Sequence, residues 1–403
     1  MYKLLLVSVF GNVEADTNER VNSLYDLLLF KVKIVTTDFS HRDKRYKTRT
    51  GYRDTDYIHV TSYKGNLSIS RLISHCSFAV KLFFYIFVKG KNYDIIYCIS
   101  PTPSSAFVCA LYKILNRRKV LVIDIIDIWP ESLIPVASYL KFLSPFFYLW
   151  KSLSIVAYKA ADAIIGATQY YQSSASRYNK SAFTKFYPLG IEYDRDLSSF
   201  EEPHLKISKA TDEIWIAYAG NLGAAYDFDA MINAVKFTVE NSFDKKIRLI
   251  FIGGGEREVE IKEKLSLSGI SYLITGNIKY GEYLSYLKYC DIGLNIFIAN
   301  TKVIQSYKFN DYVLCGLFII NNLRGETSDI IQEYNIGCNV FSLDIRLKEA
   351  LLEVVSNWDS LKSRIKSDCQ KVINERLSKK LIYENLSLDL IKVAEMKLRT
   401  SDS

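Results

Sequence analysis

Short apolar runs rich in β-branched residues alternate with longer stretches of helical period along the whole chain, and this alternation constrains the fold more than any other feature. Runs that are apolar on both faces need cover on both faces, which a parallel sheet obtains from its own crossover helices. Strands are predicted near Lys3–Phe10, Lys31–Phe39, Asp94–Ser100, Lys119–Asp127, Asp162–Thr168 and Thr184–Ile191. A second series follows near Glu213–Gly220, Lys246–Gly253, Ser271–Gly276, Asp291–Phe297 and Leu317–Asn321. Between them a polar segment, Asp194 to Asp212 with Pro203, reads as a linker. The expected α/β architecture is two doubly wound domains, 1–195 and 213–375, joined by the linker 196–212 and facing a central cleft, and 403 residues suffice for two cores. The final helices, 376–403, close the second domain or cross back to the first.

Charge is divided unevenly. Residues 1–195 carry 26 Lys and Arg against 15 Asp and Glu, while the remainder carries 26 against 29. A basic first half predicts an anionic partner: phospholipid headgroups or a phosphate-bearing substrate, with nucleic acid disfavoured because no binding module surrounds the charge. The seven cysteines are scattered without a Cys-x-x-Cys pair and read as reduced core residues. The four histidines, His41, His59, His75 and His204, have no ligand spacing, so no metal and no cofactor are expected. The chain begins Met-Tyr-Lys and runs straight into a strand, without the regions of a secretory signal, which predicts a cytoplasmic location. The most apolar window, Leu72–Val88, is interrupted by His75 and Lys81, so a spanning helix is not expected. The aromatic, basic stretches Arg71–Lys91 and Tyr139–Lys159 suit either a peripheral position on an anionic membrane or the cover of the first sheet. The run His41–Arg53 reads as a solvated or mobile loop.

Three segments could carry chemistry. Tyr218-Ala219-Gly220-Asn221-Leu222-Gly223 follows a strand and precedes a helix starting near Asp227, so its backbone can approach a phosphate at a helix N-terminus or simply make a tight turn. Ile252-Gly253-Gly254-Gly255-Glu256 repeats the arrangement one unit later. The segment Ser306–Gly316 reads as a short helix capped by Ser306 and ended by Gly316, with Lys308 and Asp311 on one face. That pair can hold a diphosphate and a ribose, or form an ordinary salt bridge.

In order, the motifs at 220–223, 251–256, 275–278, 289–294 and 307–316 closely resemble the donor half of family 4 retaining glycosyltransferases, which have the GT-B fold of two Rossmann-like domains. Asp127-Ile128-Trp129-Pro130-Glu131-Ser132 resembles the Asp-x-Trp-Pro-Glu-Ser segment of the bacterial O-antigen and capsule transferases of that group. The resemblance implies that Gly220 and Asn221 approach the sugar diphosphate, with Gly254, Ser306 and Tyr307 in the same donor site, and that Gly276, Asn277 and Ile278 lie near the base. It also implies that Lys308 contacts phosphate, that Asp311 replaces the ribose-binding glutamate, and that Asp127, Gly11, Asn12, Trp129 and Glu131 serve the acceptor side. The implied function is retaining, metal-independent transfer of a hexosyl or N-acetylhexosaminyl group from a nucleotide-sugar to a lipid-linked or saccharide acceptor. Its setting is surface polysaccharide synthesis (capsule, O-antigen or exopolysaccharide) at the inner face of the cytoplasmic membrane.

The sequence departs from that pattern in three places. Val303 stands at the first glutamate position, Ile126 at the usual histidine, and no basic residue occurs within Asn221–Ala230, a charge that Lys302 or Lys308 would have to supply. These departures keep a second reading open, a non-catalytic GT-B-like protein that binds saccharide or stabilises a partner. A dehydrogenase is disfavoured because neither glycine loop has the Gly-x-Gly-x-x-Gly spacing. A nucleotide-sugar epimerase has no histidine or carboxylate cluster to recommend it.

Overall fold

Strands buried on both faces occur in two separate parallel sheets in the computed structural model of the protein. It describes residues 1–11, 20–41, 44–48, 51, 53–65, 68–129, 144–192, 208–242, 244–299, 306–342 and 345–401, the side chains of 144–146 and 398–401 excepted. The chain forms two units, Met1–Leu189 together with Lys379–Ser403, and Gly190–Ser378. The second unit begins before the expected linker, because the Ile191 N–H donates to the Leu377 carbonyl at 2.6 Å. Positions 196–207 of that linker lie outside the described residues.

In the first unit the strands are β1 (Lys3–Ser8), β2 (Lys31–Thr37), β3 (Phe39–Ser40), β4 (Arg45–Tyr46), β5 (Thr55–Ile58), β6 (Ile95–Ser100), β7 (Val120–Ile125), β8 (Ala163–Gly166) and β9 (Phe183–Phe186). Seven of them make one sheet in the order β5-β2-β1-β6-β7-β8-β9, and β3 pairs with β4. The order reverses between β1 and β6, and a doubly wound sheet takes ligands at the carboxyl ends beside such a switch point. A buried ion pair braces this sheet from beneath. Arg20 Nε donates to Asp124 Oδ2 at 2.7 Å and Nη1 to the Tyr187 carbonyl at 2.7 Å, while the Tyr97 hydroxyl also donates to Asp124. The final helix Lys379–Ser401 joins this unit, with Tyr383, Leu386 and Leu390 buried against Leu4, Leu6 and Val32.

The helix Ile69–Lys89 bears on two sequence expectations. With its extension to Asn92 it is long and apolar enough to cross a membrane by length and composition, with a mean hydropathy of 1.5, the interruptions at His75 and Lys81 notwithstanding. Phe78, Ala79, Leu82 and Ile86 nevertheless pack into the core with Leu5 and Val7, while Ile69, Ile73, Val80, Phe84 and Val88 make an exposed apolar stripe. Cys76 is exposed on the same helix rather than a core residue, and all seven cysteines are free. The basic run is tied down where it is described. Arg53 pairs with Asp26 at 2.6 Å, and Lys47 Nζ donates to the carbonyls of Gly11 and Thr37.

The second unit has β10 (Glu213–Ala219), β11 (Lys246–Ile252), β12 (Ser271–Ile274), β13 (Ile292–Asn295), β14 (Phe318–Asn321) and β15 (Gly337–Asn339), in the order β12-β11-β10-β13-β14-β15. Its switch point lies between β10 and β13, where the loop after β10 opens on Gly220.

Candidate functional site

The helix Tyr307–Cys315 is fixed to the carboxyl edge of the second sheet at both ends. Ser306 stands at its N-cap, but its hydroxyl does not cap the helix as expected. It donates instead to Asn295 Oδ1 at 2.6 Å. Asn295, Asn321 and Asn339 occupy one register on β13, β14 and β15, and their amides form a chain of bonds, 2.8, 2.8 and 2.9 Å long, that ends on the Ser328 carbonyl. Buried amides need such partners, so the chain fixes where the helix starts. Gly316 ends it in the left-handed conformation, φ 74°, as the sequence predicts. From below, the Tyr312 hydroxyl accepts from the Ala219 N–H and donates to the Leu294 carbonyl, joining β10 to β13.

This clamping places Lys308 in an unusual setting. The side chain is 7% exposed, and its Nζ has no hydrogen-bond partner among the described residues. The ammonium lies 3.6 Å from the Tyr226 ring centroid, 3.8 Å from that of Tyr218 and 5.7 Å from that of Phe297. Burial holds its pKa well below the usual lysine value, and the field of Asp311 offsets part of that. Ring faces attract a cation but satisfy none of its three N–H donors. No ion pair between Lys308 and Asp311 occurs among the described residues, and Asp311 Oδ1 and Oδ2 accept from the hydroxyls of Tyr280 and Tyr283 at 3.0 and 2.9 Å.

Around Lys308 the two glycine loops are zipped together. Gly220 N–H donates to the Ile252 carbonyl and Leu222 N–H to the Gly254 carbonyl. A Cβ on Gly253 would lie 2.2 Å from the Gly220 carbonyl oxygen, so that glycine serves close loop packing. Gly220 has φ 126°, and a Cβ there would face Lys308 Nζ at 3.8 Å. Gly276 bridges to Gly253, and the Asn277 amide borders Gly254. Ile278 packs partly against the core, and Tyr307 is exposed. The structure thus brings Gly220, Gly254, Gly276, Asn277 and Lys308 together with Asn221 at one sheet edge. Val303 and Lys302 lie outside the described residues. Tyr218, Tyr226 and Phe297 escaped the sequence reading, as did Arg257, which reaches the Tyr226 carbonyl while held by Glu260.

In the first unit Asp127 is half-buried after β7. Its Oδ2 accepts from Trp129 Nε1 at 2.9 Å and Oδ1 from the Ile128 N–H at 2.8 Å. Gly11 is buried against Val21, with its carbonyl bonded to Lys47. Asn12 and Glu131 lie outside the described residues. Among the described residues no three His, Cys, Asp or Glu side chains are grouped to hold a metal ion.

No family model matches the sequence, and no curated protein matches it. Solved structures do match over nearly the full length. HepE from Anabaena in complex with UDP is 12% identical, covers 97% of this chain and 100% of its own, and superposes with a TM-score of 0.65. Sucrose-phosphate synthase from Thermosynechococcus elongatus is 14% identical over 98% and 99% of the two chains, with a TM-score of 0.67. WaaG, a glycosyltransferase of lipopolysaccharide biosynthesis, is 11% identical over 95% and 98%, with a TM-score of 0.62. The likeness is one of fold: two α/β domains built on parallel sheets, the GT-B class.

One further carboxyl in the second unit is perturbed. Glu326, behind β14, has a buried oxygen without a partner among the described residues, and burial pushes its pKa up to about 7 against the pull of Arg376. The folded protein therefore keeps a proton that the unfolded chain, titrating near 4.5, has released. This contribution to stability is complete below pH 4.5 and is lost as the pH rises through about 7. Glu326→Gln should remove the loss, leaving the variant more stable than wild type at pH 8 by on the order of 2 kcal/mol and no more stable at pH 4. Denaturant unfolding across that range checks it, and parallel pH profiles for the two proteins would contradict it.

Proposed function

We propose that the protein is a glycosyltransferase that takes a sugar from a nucleotide-sugar donor, with the donor diphosphate seated on Lys308. The observation that carries this reading is a buried amine with no hydrogen-bond partner among the described residues, beside glycine backbone at the switch point of a parallel sheet. A diphosphate supplies the oxygens that the ring faces cannot, and a preorganised cation stabilises the charge that develops on the leaving diphosphate. Likeness of fold to HepE, whose structures hold UDP and UDP-glucose, supports a nucleotide-sugar ligand.

The finer assignments follow from the family resemblance. They are hexosyl or N-acetylhexosaminyl transfer with retention and without metal, to a lipid-linked or saccharide acceptor of capsule, O-antigen or exopolysaccharide. Asp127 and Trp129 serve the acceptor. The exposed stripe of Ile69–Lys89, flanked by Lys81, Lys89 and Lys91, rests on the anionic inner face of the cytoplasmic membrane. One observation favours the second reading, a non-catalytic saccharide-binding or partner-stabilising protein: two tyrosines already occupy the carboxylate assigned to ribose.

Lys308→Met decides between them. Removing a buried, desolvated amine should raise the unfolding midpoint of the ligand-free protein. The stabilisation by a nucleoside diphosphate seen in wild type should disappear, and turnover with a nucleotide-sugar panel should fall by roughly 10²-fold or more. Nucleotide stabilisation that survives in the variant would contradict the site, and wild type that binds saccharide but never turns over would favour the second reading. Wild type should also co-sediment with anionic vesicles and Phe84→Glu should not; equal sedimentation of the two would sink the membrane assignment.

A further inference from the structure

Each of the neighbouring strands β13, β14 and β15 ends on an asparagine, and the three stand in one register. Asn295 and Asn321 are 0% exposed. An amide taken into a sheet interior costs more than an apolar side chain of its size unless its polar atoms find partners. Asn321 uses all of its capacity. Its Oδ1 accepts from Asn295 Nδ2 at 2.8 Å and from the Leu323 N–H at 3.1 Å, and its Nδ2 donates to the Leu323 carbonyl at 2.7 Å and to Asn339 Oδ1 at 2.8 Å.

Backbone groups fix the direction of this ladder. A carbonyl only accepts, so Asn339 must turn its Nδ2 to the Ser328 carbonyl, and the N–H and carbonyl of Leu323 hold Asn321 the matching way round. Asn295 then gives its Nδ2 to Asn321 and offers Oδ1 to Ser306, whose hydroxyl must donate. A serine has one such proton. Committed to Asn295, it is not available to a phosphate oxygen.

The ladder therefore joins the start of the Lys308 helix to the start of the helix Glu326–Tyr334, where the Ser328 hydroxyl donates to the Gly325 carbonyl. The next residue on β14's side, Asn322, clasps Phe297 by both backbone groups, accepting from its N–H at 2.9 Å and donating to its carbonyl at 2.7 Å. The Phe297 ring is one of the three around the Lys308 ammonium. The end of β14 thus holds both the helix that carries the lysine and part of the wall it stands against.

We propose that Ser306, Asn295, Asn321 and Asn339 act as one positioning unit for Lys308, and that Ser306 serves the donor site through this ladder rather than by touching the ligand. A buried network with every member satisfied specifies one arrangement, since turning any amide over breaks the bonds on both of its sides. The link to sugar transfer rests on the reading given above; the positioning of Lys308 does not.

Proton–carbon spectra of the full-length chain labelled at the lysine ε-carbons test this. The Lys308 signal is the one missing from Lys308→Met, and it should lie upfield because its ammonium stands over the Tyr218 and Tyr226 rings. Ser306→Ala, and also Asn339→Ala two strands away, should move it toward the common lysine position and weaken UDP binding about fivefold or more. Ser306→Thr, which keeps the hydroxyl, should retain both. A Lys308 signal unmoved in either alanine variant would overturn the proposal. So would loss of UDP binding in Ser306→Ala with the signal in place, which would make Ser306 a ligand contact. Signals that move as expected in a protein that never binds UDP would sustain the positioning and remove the transferase reading.

Discussion

A buried ammonium without a hydrogen-bond partner among the described residues is the feature on which the second unit turns. Lys308 sits against the faces of Tyr218 and Tyr226, and the helix that carries it is clamped to the sheet by Ser306, Asn295 and Tyr312. Each clamp is a satisfied hydrogen bond in the interior, where an unmade one costs about 1–3 kcal/mol. Together they hold a lysine where desolvation works against its charge. Such local cost persists only where the surroundings over-determine it, and it is commonly found at binding and catalytic sites.

The first unit applies a related device. Arg71 stands over Trp129 and Phe10 as Lys308 stands over two tyrosines, in both cases at the carboxyl end of a parallel sheet. In each case ring faces contribute to holding the cation in place. The two units thus share more than strand order. Each has a small set of aromatic residues whose stacking geometry decides where a positive charge can stand.

The strands of both sheets were legible because they are apolar on both faces, and the glycine loops because they follow strands. β5 and β15 were not: β5 is an edge strand with only Ile58 buried, and β15 is the three residues Gly-Cys-Asn without an apolar run. Lys308 was legible as a candidate, but its environment was not, since Tyr218, Tyr226 and Phe297 lie on separate segments with no common spacing. Ser306 was read as a cap by a local rule, and a buried asparagine from another strand outcompeted it. Helical spacing puts the Asp311 carboxylate on the face of Lys308, as a ribose ligand or an ion-pair partner, while tyrosine hydroxyls from the helix Tyr280–Tyr289 reach it. Local rules see neighbours along the chain, and these sites are made by neighbours across it.

Proton uptake on ligand binding tests the central claim most directly. Burial lowers the Lys308 pKa, and a bound diphosphate raises it again, so binding at a pH near the shifted value draws a proton from solvent. Calorimetry of nucleoside diphosphate binding in buffers of different ionisation enthalpy, repeated across a range of pH, should show a pH-dependent net uptake that is absent in Lys308→Gln. Binding to wild type with no proton exchange, or with the same exchange as the variant, would contradict the account.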